Sequence, residues 1–317
     1  MCTPVMIKDI DQKGKGLVAS KKFNIGDLIF KDKAVAILNN EKDSPTEILY
    51  QYNEMTSVEQ SDFYNLTRGK EEEDQPKSDF DRHLSDLTSK FNNNAIFSGP
   101  NNQTGSLFLS YALTNHSCSP NSFLDLSYGK DTTAELRAIK NIEKGEEITI
   151  TYIMLGYLSK EDRQKQLNKW GFICNCPSCT SVVEEEELII ATGKIENEIR
   201  KHISQIKSNK NKTNWAKLAQ YQNEVVKNLQ QLSFSSLLLP MEIADLICLA
   251  QVGRQQELVE SAKKLLNEVI GQRKVAIYRK NYNEIQERLK TWKANLNSNL
   301  PPTDTEIDCF IGFRIDV

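Results

Sequence analysis

NHSCSPN, residues 115–121, is the segment of this chain from which its architecture can best be inferred. It combines a histidine, the thiol of Cys118 and a turn enforced by Pro120, and it follows the apolar run Phe108–Leu109. Taken alone, a polar heptapeptide is more often a surface loop than a site, because such clusters with proline are typical of turns. The segments that follow it favour a functional interpretation.

A predicted strand lies about thirty residues downstream. GEEITITY, residues 145–152, alternates apolar and polar residues after a Lys-Gly turn, which predicts a β-strand ending at Tyr152. On its own, Tyr152 is more simply interpreted as a half-buried strand residue. Beyond it stands WGFICNCPSC, residues 170–179, which is rich in cysteine.

The cysteine-rich segment indicates a metal site. In a reducing compartment, thiols at such spacing are metal ligands more often than disulfides. A structural zinc ion requires four ligands, and the segment offers only three, so the fourth must come from elsewhere in the chain. Ordinary buried thiols are the alternative. The three cysteines are Cys174, Cys176 and Cys179.

The flanking sequence predicts an α+β fold. Short β-type segments separated by glycine turns occupy residues 1–38 and return at 106–152. Residues 39–92 are polar with helical spacing, which predicts a helical insert. After residue 180, apolar residues recur at helical intervals, typical of an all-α domain. We therefore expect a β-rich domain over 1–180 and a helical domain over 181–317.

Composition disfavours several classes of protein. The 40 Lys and Arg against 43 Asp and Glu give a net charge of −3, which offers no global field for nucleic acid or an anionic membrane. The sequence has no signal-peptide pattern and no stretch of the roughly 20 apolar residues that span a bilayer. We expect a cytoplasmic or nuclear protein without direct nucleic-acid contact.

In this order and spacing, the heptapeptide, the tyrosine strand and the cysteine-rich tail resemble the SET-domain protein-lysine methyltransferases. Residues 13–19 and 23–29 are similar to the N-terminal strand pair of that family. The branch most similar is the SET and MYND domain group, on the strength of FNNNAI at 91–96, the pair Arg163-Gln164 ahead of Phe172, and the helical C-terminal domain. The MYND zinc finger is missing, because residues 39–92 hold no cysteine and only His83.

The resemblance implies a specific fold and metal site. It predicts a β-rich SET domain with a pseudoknot-like core, in which residues 39–92 replace the MYND finger and 170–180 form a zinc-binding post-SET tail. In the family, this tail folds back onto the core motif and shares a metal with its cysteine. The resemblance therefore selects Cys118 as the fourth zinc ligand.

The resemblance also implies S-adenosylmethionine as the cofactor. The residues it places around the cofactor are Lys15, Gly16, Asn94, Asn115, His116 and Phe172. By this analogy the Gly-rich turn approaches the methionine portion, while His116 and Phe172 lie at the adenine. The simpler interpretations are a hairpin turn for Gly16, a core or surface histidine for His116 and a core aromatic for Phe172.

Two functions from different classes remain. The resemblance implies methyl transfer to a lysine amine of a histone or non-histone protein, with Tyr152 as the catalytic residue near the transferred methyl group. The alternative is a catalytically inactive SET-fold module that binds protein partners. We expect a monomer, and as the partner of the enzyme a protein or peptide substrate that carries a lysine.

Overall fold

The chain divides into two compact units. The computed structural model describes residues 4–39, 45–69, 78–98, 104–127, 132–153, 156–181, 183–209, 214–232 and 238–273. The first unit comprises Met1–Ile153 and Arg163–Cys174, and the second comprises Met154–Asp162 and Asn175–Val317. Short strands in small sheets together with several helices confirm the α+β class. The predicted domain limit at residue 180 stays a prediction, and residues 274–317 lie outside the described ranges.

Ten short strands lie in the described part of the first unit. They are β1 (Val5–Ile10), β2 (Gly14–Ala19), β3 (Leu28–Lys33), β4 (Ala36–Asn39), β5 (Ile96–Ser98), β6 (Thr104–Leu107), β7 (Asn115–His116), β8 (Ser122–Ser127), β9 (Thr133–Ala138) and β10 (Glu147–Ile150). They form three sheets with the orders β1-β2-β10-β7, β3-β9-β8 and β4-β6-β5. The heptapeptide and the tyrosine strand thus share one sheet.

The hairpin between β1 and β2 depends on its turn residues. Ile10 pairs with Gly14 in the antiparallel register, and the Lys13 amide donates to the Ile10 carbonyl at 3.0 Å. Gln12 and Gly14 have φ values of 60° and 74°, in the left-handed region where glycine carries no steric penalty. The turn brings Lys13 and Lys15 to the end of the sheet.

Nine helices occur in the described residues. They are α1 (Pro45–Glu54), α2 (Ser57–Tyr64), α3 (Asp79–Asn94), α4 (Lys160–Leu167), α5 (Pro177–Thr180), α6 (Val183–Asn209), α7 (Trp215–Leu229), α8 (Leu239–Val252) and α9 (Gln256–Arg273). Side-chain caps fix where several of them begin. Thr56 and Glu59 form a reciprocal capping box at α2, and Ser78 caps α3 by accepting from the Asp81 amide.

Two apolar cores lie among the described residues of the first unit. One lies among the strands that carry the heptapeptide and the tyrosine, and it includes Leu17, Phe23, Leu136 and Ile148. The other packs the helices α1, α2 and α3 against β4 and β6 around Phe63, Leu87, Phe91 and Leu107. The helical segment between β4 and β5 is therefore built into the unit by its own core.

The second unit has a single helical core in its described residues. Contacts run between α6 and α7, α7 and α8, and α8 and α9. Ile199, Leu218, Val225, Ile247 and Val259 are among the buried residues that fill the core. No helix within the described ranges is both long and apolar enough to cross a membrane.

Candidate active site and metal centre

The heptapeptide and the tyrosine strand lie side by side. β7 pairs in parallel with β10, so that Asn115 faces Thr149 and His116 faces Ile150. The pairing continues where the Ser117 amide donates to the Ile150 carbonyl at 2.8 Å. Since Tyr152 follows β10 by two residues, this register brings the two sequence motifs to one place.

Asn121 fixes this register through its side chain. Its amide group donates to the Glu147 carbonyl at 2.8 Å, and its carbonyl oxygen accepts from the Thr149 amide at 2.9 Å. The residue is buried, so satisfying both ends of the amide is required for a stable fold. The last residue of the heptapeptide therefore holds the strand that leads to Tyr152.

A cavity of about 360 Å³ opens beside this pair of strands within the first unit. Six of the residues selected from the sequence line it, which are Lys15, Asn94, Asn115, His116, Tyr152 and Phe172. Further lining comes from the hairpin turn, the end of α2, the end of α3 and Trp170. Among the described residues, Gly16 and the four cysteines of the predicted metal site do not line it.

Gly16 lies next to Asn115, a residue of the cavity wall, and its missing side chain leaves room for the Asn115 amide. A Cβ atom at Gly16 would lie 2.6 Å from Asn115 Nδ2 and 2.7 Å from a side-chain carbon of Ile10. The Asn115 amide group uses this space to donate to the Lys15 carbonyl at 3.2 Å. The missing side chain of Gly16 thus positions Asn115.

Glu147 holds the other side of Asn115. Its Oε1 accepts from Asn115 Nδ2 at 3.0 Å, and its Oε2 pairs with Lys13 Nζ at 2.7 Å. The two charged side chains are about one fifth exposed, at 23% and 20%. A partly buried, charge-assisted pair therefore clamps the hairpin turn and Asn115 together.

The phenol of Tyr152 is fixed and neutral. Its hydroxyl donates to the Thr114 carbonyl at 2.8 Å. Burial raises the pKa of Tyr152 well above its ordinary value, and the nearby carboxylate of Glu147 raises it further. Near neutral pH this hydroxyl is a hydrogen-bond donor and not a phenolate base.

Aromatic rings surround Tyr152. The ring centroids of Trp170, His116 and Phe172 lie 5.1, 5.4 and 6.4 Å from that of Tyr152. Lys169 Nζ lies 3.9 Å from the Trp170 ring, and burial lowers the pKa of this lysine. The surroundings of Tyr152 therefore combine apolar walls with faces that attract cations.

The helical insert supplies the amide-rich wall of the cavity. Asn94 Nδ2 donates to the Thr67 carbonyl at 2.8 Å and to the Lys90 carbonyl at 2.7 Å. The neighbouring Asn93 also donates to Thr67, at 3.1 Å, and its carbonyl accepts from the Trp170 indole at 3.3 Å. These bonds hold Asn94 in the cavity wall.

Gln164 positions Phe172 from outside the cavity. Its Nε2 donates to the Phe172 carbonyl at 2.8 Å, and its Oε1 accepts from the Cys174 amide at 3.0 Å. One side chain thus fixes both an aromatic wall residue and one of the clustered cysteines.

Four buried thiols form a cluster. The sulfur atoms of Cys118, Cys174, Cys176 and Cys179 all lie within 4.8 Å of one another. Cys118 Sγ and Cys174 Sγ are 4.0 Å apart. A tetrahedral zinc ion with bonds of about 2.3 Å to sulfur would place its ligands about 3.8 Å apart, so the sulfur atoms are near enough to one another to share such an ion. These cysteines could therefore hold a metal ion.

Several site residues are ones that sequence reasoning did not select. They are Lys13, Thr67, Asn93, Glu147 and Gln164. Glu147 lies inside the tyrosine-strand segment, Asn93 lies inside FNNNAI at 91–96, and Gln164 belongs to the Arg163-Gln164 pair ahead of Phe172, so their position was a signal. Thr67 carried no such signal, because its role depends on how the helical insert folds.

Comparison with known proteins gives this site a context. Residues 14–153 match the SET domain family. The chain is 40% identical over 81 residues to the N-lysine methyltransferase SMYD2 of Gallus gallus, which is 26% of this chain and 18% of that protein. It is 30% identical over 128 residues to the histone-lysine N-methyltransferase SMYD3 of Homo sapiens, which is 40% of this chain and 29% of that protein.

A longer alignment involves a fungal protein. The histone-lysine N-methyltransferase set5 of Schizosaccharomyces pombe is 31% identical over 183 residues, which is 56% of this chain and 50% of that protein. The chain thus spans at most half the length of these three relatives.

Proposed function

With a SET domain over residues 14–153 and homologues among the SMYD and SET5 lysine methyltransferases, we propose that this chain methylates lysine side chains of proteins. The observation that carries the proposal is the position of Tyr152. Its neutral phenol lies in a cavity that it shares with Asn115 and Lys15, among three aromatic rings. The substrate is a histone or non-histone protein that presents a lysine.

The lining of the cavity fits S-adenosylmethionine as cofactor. When bound, this cofactor supplies a methyl group attached to a positively charged sulfur. Aromatic faces such as that of Phe172 suit both a purine ring and a sulfonium. Lys15 provides positive charge at the hairpin turn for a carboxylate, and Asn94 and Asn115 provide amide groups. Gly16 contributes by leaving space for the Asn115 side chain.

The residues around Tyr152 address the main obstacle to lysine methylation. A lysine ammonium has no lone pair, and forming the neutral amine at pH 7 costs about 4.6 kcal/mol for a solvent-exposed lysine, whose pKa is about 10.4. Burial among apolar walls lowers this cost because desolvation disfavours the charged form. Lys169 illustrates the effect, since burial beside Trp170 already lowers its pKa.

Tyr152 contributes orientation to this reaction. Because its hydroxyl is anchored to the Thr114 carbonyl and stays protonated, it offers a fixed dipole at the cavity. No general base is required once the substrate amine is neutral. The acceleration then comes from positioning and preorganised electrostatics.

We propose that the cysteine cluster holds one structural zinc ion. The four buried cysteines would supply all four ligands of a zinc ion and leave no position for water, which is typical of structural and not catalytic zinc. The ion would link Cys118 of the heptapeptide to the cysteine tail that carries Phe172. A zinc-bound post-SET tail is in this way part of the proposal.

The test is methyl transfer from S-adenosylmethionine labelled in its methyl group. A cell extract is incubated with the purified chain, and labelled proteins are identified by mass spectrometry. We expect Tyr152→Phe to lower the transfer rate by at least tenfold while cofactor binding, measured by thermal shift, changes little. The matched control is Tyr64→Phe, which removes an exposed phenol from α2, outside the cavity.

Two outcomes would contradict the proposal. One is a protein that S-adenosylmethionine does not stabilise at any concentration, because a ligand of the folded state must raise its stability. The other is a Tyr152→Phe variant that loses cofactor binding and transfer equally, which would make Tyr152 structural. Cofactor binding without transfer into any protein would favour the inactive binding module.

A further inference from the structure

His116 uses both of its ring nitrogens inside the protein. The side chain is only 3% exposed. Its Nδ1 lies 3.0 Å from the backbone amide nitrogen of Tyr152, and its Nε2 lies 3.3 Å from Cys118 Sγ. The imidazole therefore stands between the cysteine cluster and the residue proposed to be catalytic.

The direction of both hydrogen bonds follows from the backbone amide. An amide N–H can only donate, so Nδ1 of His116 must carry a lone pair and accept. The remaining ring proton of the neutral imidazole is then on Nε2, which donates to Cys118 Sγ. The opposite arrangement, in which a Cys118 thiol donates to Nε2, would leave the ring without any proton.

We propose that His116 is a positioning residue that donates a hydrogen bond to the metal-bound thiolate of Cys118 and thereby couples the cysteine cluster to Tyr152. The inference rests on the zinc site and the role of Tyr152 proposed above. It adds to the place at the adenine that the family resemblance gives to His116, since both ring nitrogens have partners within the protein while His116 also lines the cavity.

The coupling acts through the fixed orientation of one ring. A thiolate bound to zinc is a strong acceptor, and a donor held against it by buried surroundings stabilises the metal-bound form. The same ring, once fixed, offers Nδ1 to the Tyr152 amide at the point where β10 has ended. Loss of the metal would therefore disturb the backbone of Tyr152 as well as the cysteine tail.

Three substitutions separate the two hydrogen bonds. His116→Phe keeps a ring and removes both. His116→Gln places an amide N–H near the Nε2 position and can donate to sulfur, whereas His116→Asn places a carbonyl near the Nδ1 position and can accept from the Tyr152 amide. The matched control is His83→Phe, which removes an exposed imidazole from α3.

The main readout is the rate of zinc transfer to a chromogenic chelator, measured without cofactor or substrate. Loss of a residue that supports a metal ligand typically costs about 10- to 100-fold in metal affinity. We expect His116→Phe and His116→Asn to release zinc about 10- to 100-fold faster than the wild type. His116→Gln and His83→Phe should release it at nearly the wild-type rate. In methyl transfer, His116→Asn should retain a higher kcat than His116→Phe, with similar cofactor KM.

The outcomes distinguish a failure of this inference from a failure of the zinc site on which it rests. A wild-type protein that contains no zinc would overturn the proposed metal site and this inference together. Zinc that is present but released at one rate by all His116 variants would overturn the inference alone.

A measurement on the wild type gives a second test, which does not depend on the folding of any variant. The chain has three histidines, so ¹⁵N NMR can resolve each imidazole. We expect His116 to be the neutral form protonated at Nε2. Protonation at Nδ1 would overturn the inference.

Discussion

Replacing Gly16 with alanine should disrupt the site through Asn115. The new Cβ would lie 2.6 Å from Asn115 Nδ2, 2.7 Å from Ile10 Cγ1 and 3.3 Å from Glu147 Oε1. Contacts below 3 Å are not tolerated, so the Asn115 amide must move. It then loses its bonds to the Lys15 carbonyl and to Glu147.

The size of the effect follows from these two bonds. A neutral hydrogen bond contributes about 1 kcal/mol and one to a charged group about 1.5–3 kcal/mol. Because both groups are partly exposed, we expect the lower end of the combined range, about 2.5 kcal/mol of lost stability. Since Asn115 is also a proposed cofactor contact, cofactor affinity should fall by at least tenfold.

Gly145→Ala is the matched control, at the turn that precedes β10 of the same sheet. Gly145 has a φ of 91°, no atom within 4 Å of a Cβ placed there, and no place in the cavity lining. This variant should lose about 1 kcal/mol through backbone strain and leave cofactor affinity unchanged. Urea unfolding gives the stability and isothermal titration gives the affinity.

A double substitution tests the stated cause. In Gly16→Ala combined with Asn115→Ala, the clash with Asn115 is removed and only the contact with Ile10 remains, so the cost of the added methyl group should fall by about 1 kcal/mol or more relative to the wild-type background. Additive costs, or a Gly16→Ala protein with wild-type cofactor affinity, would refute the role of Gly16 as the residue that admits Asn115.

Three further predictions concern the residues around this clamp. Glu147→Gln should raise the cofactor KM more than it lowers kcat, because it weakens the hydrogen bond from Asn115 and the ion pair with Lys13. Steady-state kinetics measure both parameters. Gln164→Ala should lower the free energy of unfolding by about 1–3 kcal/mol and speed zinc release. The reason is that the Phe172 carbonyl and the backbone amide of Cys174 both lose their hydrogen bonds to the Gln164 side chain. The pKa of Tyr152 is raised in the folded protein, so above roughly pH 10 the unfolded state loses this proton first and the folded state is destabilised. Tyr152→Phe should therefore reduce the loss of stability at alkaline pH, measured by urea unfolding.

The sequence was most informative where chemistry and strand pattern coincide. The α+β class and the relationship to SET-domain methyltransferases could be predicted, because the heptapeptide, the strand that ends at Tyr152 and the cysteine tail each carry unusual residue types. The role of Glu147 could not, since a carboxylate in a strand is ordinarily solvated. Its function depends on Lys13 and Asn115, which lie far away in sequence, and only the folded register brings the three together.

The hydrogen bonds of His116 show the same limit of sequence-based prediction at the level of single atoms. A histidine within a polar motif predicts a ligand contact, yet sequence does not tell which partner each ring nitrogen takes. That choice follows from the two-residue pairing of β7 with β10, which is too short to be read from periodicity.

The shortness of β7 also explains why the heptapeptide carries so many polar side chains. A two-residue strand supplies few backbone hydrogen bonds, yet its surroundings are buried and every polar group there needs a partner. Asn115, His116 and Asn121 provide the missing bonds through side chains that reach Glu147, the Tyr152 amide and the Thr149 amide. Side-chain bonds replace a regular ladder, so the segment holds the tyrosine strand while leaving one edge open to the cavity. The polar residues that mark the site in the sequence are therefore also the residues that build it.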